Sequence, residues 1–174
     1  IDIGCGLGWL LSYLSKEWDL YGLEVSKFAA AKATKYAPIH VGPIETLKND
    51  NFDYVILNHV IEHLEDPINA LKIIRKILKP NGVFICGTPD FDSAMARRYG
   101  GDYRMLHDST HISLFSNDSL HRCLRDLGFK IFDVEYPYFN TPWFKKNDLE
   151  RLFDVDQKRS PAFYGNYMTL FCYN

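Results

Sequence analysis

Short apolar runs alternate with amphipathic stretches through the first half of the chain. The runs near residues 1–3, 19–24, 38–41, 52–57 and 82–88 predict strands. Apolar positions at helical spacing predict helices near 8–16, 26–35 and 67–78. Pro67 suits a first helical turn, and Lys79-Pro80-Asn81-Gly82 reads as a helix stop followed by a turn. Alternation of this kind marks a parallel sheet with crossover helices, so the fold class is α/β.

After residue 88 the pattern changes. Residues 89–115 read as a mixed polar and aromatic insertion with a short helix near 92–99. Ser116 or Asn117 caps another helix to about residue 127, which Gly128 ends. Residues 129–136 and 167–173 read as two further strands. Residues 137–166, between them, are long for a hairpin, and connections of that length usually carry function or are disordered.

Length and composition narrow the class. A chain of 174 residues makes one domain, spanning 1–174, large enough for a core. Lys and Arg number 20 against 22 Asp and Glu, so no global polyanion-binding signature exists and no nucleic-acid partner is expected. The apolar runs are far short of a membrane span. Cys5, Cys86, Cys123 and Cys172 are scattered without a C-x-x-C pair, which points to free thiols in a reducing, cytoplasmic setting. The chain opens on Ile1 inside a predicted strand, so a preceding segment is expected.

The chemistry concentrates in Ile1 to Gly8, IDIGCGLG. Gly4, Gly6 and Gly8 permit positive φ and a closer ligand approach than any Cβ allows. Asp2 places a carboxylate at the mouth of this turn. Glu24 ends the second apolar run, where an acid can hydrogen-bond both ribose hydroxyls of a bound nucleoside. The glycine spacing is neither the G-x-G-x-x-G of dinucleotide sites nor a P-loop.

The D-x-G-x-G-x-G run with an acid closing the second strand resembles motif I of the class I S-adenosylmethionine (SAM)-dependent methyltransferases. Residues 52–67, Leu78 to Phe84, and His111 to Ser116 with Leu120 and Gly128-Phe129 are similar to later segments of that superfamily's small-molecule branch. Members of that branch methylate quinone precursors, sugars, lipids and other natural products. The resemblance implies a Rossmann-like, doubly wound, seven-stranded, mainly parallel sheet with an antiparallel last strand, in three α/β/α layers. It implies SAM as cofactor and S-adenosylhomocysteine (SAH) as product. Asp2, Gly4, Cys5, Gly6 and Gly8 would then hold the methionine part, Glu24 with Val25 the ribose, and Ile44 with Glu45 the adenine side. Asn58 and His59 would lie beside the sulfonium. Pro43 stands where many relatives carry an adenine-binding Asp. The Asn-Pro-Pro-Tyr motif of amino-methylating enzymes is replaced by Asn58-His59-Val60-Ile61.

An oxygen or nitrogen acceptor often needs a base, and His is the usual choice near neutral pH. His111, His107 and His59 are the candidates, with Asp108 as orienter; His40 and His121 read as structural. A metal reading competes. His59-x-x-Glu62-His63 with His111 resembles the Glu-x-x-Glu-His site of quinone-pathway O-methyltransferases and small-RNA 2′-O-methyltransferases, with His59 in place of the first Glu. In a third reading, Glu62 and His63 only cap a helix and bind the 104–116 loop. The assignment taken forward includes no metal ligand. Arg97, Arg98 and Arg104 are either an anion clamp or paired loop residues. Tyr136, Tyr138, Phe139, Trp143, Phe144, Phe163, Tyr164 and Tyr167 are either an acceptor lid, with 89–115 and 137–166 on the acceptor side, or core or dimer surface. The expected function is methylation of a small molecule, on oxygen, by a monomer or homodimer. The alternatives are a metal-dependent RNA 2′-O-methyltransferase and a SAM-binding protein without catalysis.

Overall fold

The computed structural model describes residues 1–14, 18–48, 50–136 and 167–174, together with Asn147, Glu150 and Asp156. Seven strands are β1 (Asp2–Ile3), β2 (Gly22–Glu24), β3 (Ile39–Val41), β4 (Phe52–Asn58), β5 (Leu78–Pro89), β6 (Lys130–Glu135) and β7 (Tyr167–Tyr173). They form one sheet in the order β3-β2-β1-β4-β5-β7-β6. β1 to β5 pair in parallel, and β7 lies antiparallel between β5 and β6. This is the doubly wound sheet with an antiparallel last strand that the sequence led us to expect. The helices are α1 (Trp9–Tyr13), α2 (Lys27–Ala33), α3 (Pro67–Ile77), α4 (Ala94–Tyr99) and α5 (Asn117–Asp126).

Local chemistry fixes the helices. Asp66 caps α3 by accepting the Asn69 amide, and Pro67 occupies the first turn, where its missing N–H costs nothing. Ala70, Leu71, Ile74 and Ile77 face inward, while Arg75 and Lys76 sit at the negative end of the helix dipole. Ser116 and Ser119 form a reciprocal capping box at the start of α5, and Leu120 and Leu124 bury its inner face. These two helices pack with Ile3, Leu23, Val55, Leu57 and Phe84 on one side of the sheet. Cys5, Leu11, Ala33 and Ala37, from α1, α2 and their flanks, pack on the other. Each fully buried aliphatic side chain contributes about 1.5–3 kcal/mol.

Several boundaries differ from the pattern reading. β5 begins at Leu78, which pairs with Phe52. The stretch read as a stop and turn is drawn into the strand as an irregular start, with Asn81 at φ 63 and a register shift opposite Phe52 and Tyr54. Pairing to β4 thus overrides the local turn chemistry. β2 is shorter than 19–24, and α1 ends at Tyr13.

All five parallel strands end on one edge of the sheet, and the order in which successive strands are laid down reverses between β1 and β4. The crevice outside the strand ends at such a switch point is where α/β sheets bind ligands. A second cavity, of about 550 Å³, opens at the opposite edge beside Leu11, Trp18, Tyr21 and Phe52. It lies at the wrong end of the strands for that role. Among the described residues, no helix is long and apolar enough to cross a membrane.

Candidate active site

The turn after β1 is built for close approach. Gly4, Gly6 and Gly8 have φ of 74, 54 and 82°. Leu23 O, in β2, accepts from the amides of both Gly4 and Cys5, at 2.7 and 3.0 Å. The three glycines have different jobs. A Cβ on Gly4 would collide with Val60, and one on Gly8 would press within 2.9 Å of Tyr36. At Gly6 a Cβ would meet nothing within 4 Å, so this is where the backbone opens to a ligand.

Glu24 ties that opening to the end of β2. Its Oε2 accepts the Gly6 amide and its Oε1 the Ser26 amide, both at 2.8 Å. Each oxygen keeps a lone pair, enough for two ribose hydroxyls. The carboxylate is 8% exposed and sits directly beside the open glycine, so the residues present fit the nucleoside of SAM. Asp2 is buried at the base of the turn. Burial pushes its carboxyl up to about 6, reinforced by the charge of Glu24. Burial likewise pushes the Cys5 thiol up to about 11, so Cys5 is no nucleophile.

The neighbouring elements complete the crevice. Ile44 is buried in the short turn Ile44–Thr46. Glu45 is exposed and accepts from Asn69 Nδ2 at 3.5 Å. His40 contacts Thr46 Oγ1 at 2.8 Å and so braces this turn, the structural role expected of it. Val25 is exposed beside Glu24. Asn58 ends β4 against Gly87, where any Cβ would strike its Oδ1.

After β4 comes a polar knot. His59 holds a left-handed φ of 54°, rare for a residue with a side chain, and its amide donates to Gly87 O at 2.8 Å. Its Nδ1 lies 3.2 Å from Glu62 Oε1, and its ring meets Tyr167 edge-on at 4.6 Å. Glu62 is 1% exposed, and its Oε2 accepts the Thr88 hydroxyl at 3.1 Å. Burial works to raise the Glu62 pKa, but hydrogen bonds from His59 and the backbone, with charge on His59 and His63, hold it below the usual carboxylate value. An ionised Glu62 makes Nδ1 of His59 the donor and leaves Nε2 as the acceptor. Burial and the negative charge of Glu62 push the Tyr167 phenol up to about 12, against Arg104, so it stays protonated.

The 104–113 segment packs on this knot. Ile112 and Ser113 amides donate to Glu62 O at 2.9 and 3.0 Å. His63 Nδ1 lies 3.0 Å from Thr110 O, and His111 Nδ1 lies 2.7 Å from Met105 O. Carbonyls only accept, so both Nδ1 atoms carry hydrogen. The rings of His63 and His111 lie 4.9 Å apart.

The structure therefore brings Asp2, Gly4, Cys5, Gly6, Gly8 and Glu24 together at one end of the crevice, and His59, Glu62, His63 and His111 at the other. It does not join His107 to them. His107 is exposed in Arg104–His107, without a hydrogen bond to the knot among the described residues. Asp108 is not the orienter of His111: its Oδ2 stands 3.7 Å from Nε2, and its Oδ1 accepts from the Thr110 amide and hydroxyl at 2.9 and 2.6 Å. Those bonds hold its carboxyl below the usual range. Arg97 forms a bidentate pair with Asp92, the loop-pairing alternative. Tyr136 OH accepts from Asn117 Nδ2 at 2.6 Å. Tyr138, Phe139, Trp143, Phe144, Phe163 and Tyr164 lie outside the described residues. Sequence reasoning missed Thr88, Gly87 and the placing of Tyr167 against His59, all of which arrive through pairing in the sheet.

Comparison with known proteins agrees with this geometry. A family model described as a methyltransferase domain matches residues 1–134. The ubiquinone biosynthesis O-methyltransferase of Cereibacter sphaeroides is 30% identical over an alignment of 161 positions that covers 80% of this chain and 63% of that enzyme. The chain thus spans less than two thirds of that relative's length. Two solved structures share the fold over 99% of this chain. One is the plantazolicin methyltransferase BpumL with SAH, at TM-score 0.69 and 18% identity over 75% of that chain. The other is the 4+2 cyclase SpnF, at TM-score 0.69 and 19% identity over 74% of that chain. The matched family model reaches from the glycine turn to the sixth strand, and it is on this ground that the chain belongs to the SAM-dependent methyltransferases.

Proposed function

We propose that this domain transfers the methyl group of SAM to a hydroxyl of a small-molecule acceptor, with His59 as the base. The carrying observation is the 3.2 Å contact between His59 Nδ1 and the buried Glu62 carboxylate at the end of β4. SAM supplies a methyl already activated by its sulfonium, so the protein has to align the acceptor and exclude water. Gly6 and Glu24 hold the nucleoside, with Asp2 beneath them. His59 takes the hydroxyl proton on Nε2, and Glu62 stabilises the imidazolium through Nδ1, as a carboxylate orients the base of a hydrolase triad. Thr88 fixes the far oxygen of Glu62. His111 shapes the acceptor side, and His107 has no part.

Oxygen is favoured over nitrogen because a positioned base is present and the amine-methylating motif is absent. The ubiquinone-pathway relative acts on oxygen, which supports the same reading. The test is SAH release from SAM with a panel of phenols, catechols, sugars and amines. An O-methyl product, with turnover reduced about 10²–10⁴-fold in His59→Asn, is expected. An N-methyl product overturns the oxygen assignment, and full activity in His59→Asn overturns the base.

A further inference from the structure

We propose that the outer face of α1 and α2 docks on the anionic lipid surface of a membrane. Trp9 and Tyr13, four apart on α1, are 66% and 81% exposed, and Phe28 on α2 is 71% exposed. Leu11 of α1 and Ala30 and Ala33 of α2 bury the inner faces, so these three rings contribute little to the core. Apolar side chains left in water and gathered on one surface mark a contact site.

The two helices adjoin. The Tyr36 ring, just past α2, lies against Gly8, directly before Trp9, where a Cβ would come within 2.9 Å of it. Lys35 Nζ stands 4.5 Å from the centre of the Tyr36 ring, and Lys32 Nζ 5.8 Å from that of Phe28. Lys27, Lys32 and Lys35 are exposed, and none of them forms an ion pair among the described residues. No Asp or Glu occurs from Ile3 to Leu14 or from Val25 to Ile44. The whole chain carries −2, so cations are segregated on this face against the overall charge.

The residue types select the partner. Trp and Tyr settle at the headgroup level of a bilayer, where the ring is apolar and its tip is wet. Each lysine close to an anionic leaflet strengthens binding about fivefold. Protein interfaces instead enrich Arg and deplete Lys. From Ile3 to Ile44 the chain has no Arg, so every cation on this face is a lysine. α1 starts directly after Gly8 and α2 three residues after Glu24, so docking turns the rim of the glycine turn toward the bilayer. The inference stands apart from methyl transfer, since vesicle binding is read without turnover.

The test is co-sedimentation of the full chain with vesicles of phosphatidylcholine alone, or of phosphatidylcholine with an equal part of phosphatidylglycerol. Saturable binding to the anionic vesicles is expected, at least tenfold tighter than to the neutral ones and weakened by salt. Lys32→Gln with Lys35→Gln should weaken it about tenfold or more, and Trp9→Ser with Phe28→Ser likewise. Lys72→Gln with Lys76→Gln removes two exposed cations from α3, on the other side of the sheet, and should leave binding unchanged. All of these side chains are exposed, so the variants keep the fold, which circular dichroism checks. No saturable binding to anionic vesicles, equal binding to neutral ones, or an equal loss in the α3 variant overturns the docking face. Binding of poly-glutamate as tight as that of the anionic vesicles, and indifferent to the aromatic variant, assigns the face to an acidic protein and overturns the lipid.

Discussion

Thr88 and Glu62, 26 positions apart in sequence, share a buried hydrogen bond of 3.1 Å that closes the end of β5 onto the turn after β4. Hydrogen bonds to ionised groups are worth about 1.5–3 kcal/mol. Thr88→Val keeps the shape and removes the donor, leaving Glu62 Oε2 buried without that partner. Urea denaturation should show a loss in that range. A variant as stable as the parent would mean that Glu62 takes no support from β5.

Glu24 braces the turn and, in the proposed reading, holds the ligand as well. Glu24→Ala strips an acceptor from the Gly6 and Ser26 amides, a loss of about 1–3 kcal/mol in stability. It also removes the two oxygens proposed to accept from the ribose, so SAH affinity should fall at least tenfold at a temperature where the variant is fully folded. Calorimetric titration with SAH measures the second effect and denaturation the first. Undiminished SAH affinity would place the ribose elsewhere.

The glycines of the turn separate strain from ligand approach. Gly6→Ala meets no neighbouring atom, so it carries only the left-handed penalty of about 1–2 kcal/mol, yet it fills the open cradle. It should fold and lose SAH affinity tenfold or more. Gly4→Ala should destabilise further because its Cβ runs into Val60. In a Val60→Ala background the penalty of Gly4→Ala should shrink by about 1 kcal/mol, a coupling typical of residues in contact. Additive effects of the two changes would refute the collision.

What the sequence disclosed follows from how local each feature is. The glycine turn and Glu24 are written in backbone requirements and strand ends within the first 24 residues, and the structure places them together. His59, Glu62 and His63 are neighbours on one turn, so their types were visible. Their orientation was not, because it is imposed by Thr88 in β5 and by carbonyls of the irregular 104–110 backbone. Tyr167 reaches His59 because Pro89 pairs with Tyr167 across β5 and β7, a relation no local pattern carries. Asp108 misled for the opposite reason. Its spacing to His111 suits an orienter, but a still more local bond to Thr110 captures the carboxylate.

Asp2 gives the fold a pH dependence of unusual sign. The folded chain holds a proton on Asp2 up to about 6, whereas an unfolded aspartate releases it near 3.8. Between these values the folded state binds more protons, so the contribution of Asp2 to stability falls as pH rises. Below the lower value both states are protonated and no penalty exists. Above about 6 the whole penalty stands, with a ceiling of about 3 kcal/mol. Asp2→Asn is nearly isosteric and does not titrate. The stability difference between variant and parent should therefore move in favour of the variant from pH 4 to pH 7, most steeply between 4 and 6. Urea denaturation of both proteins across that range measures it, and subtraction cancels every other titrating group. Parallel curves would show that Asp2 is ionised in the folded chain without penalty, and so that the base of the glycine turn is better solvated than its burial indicates.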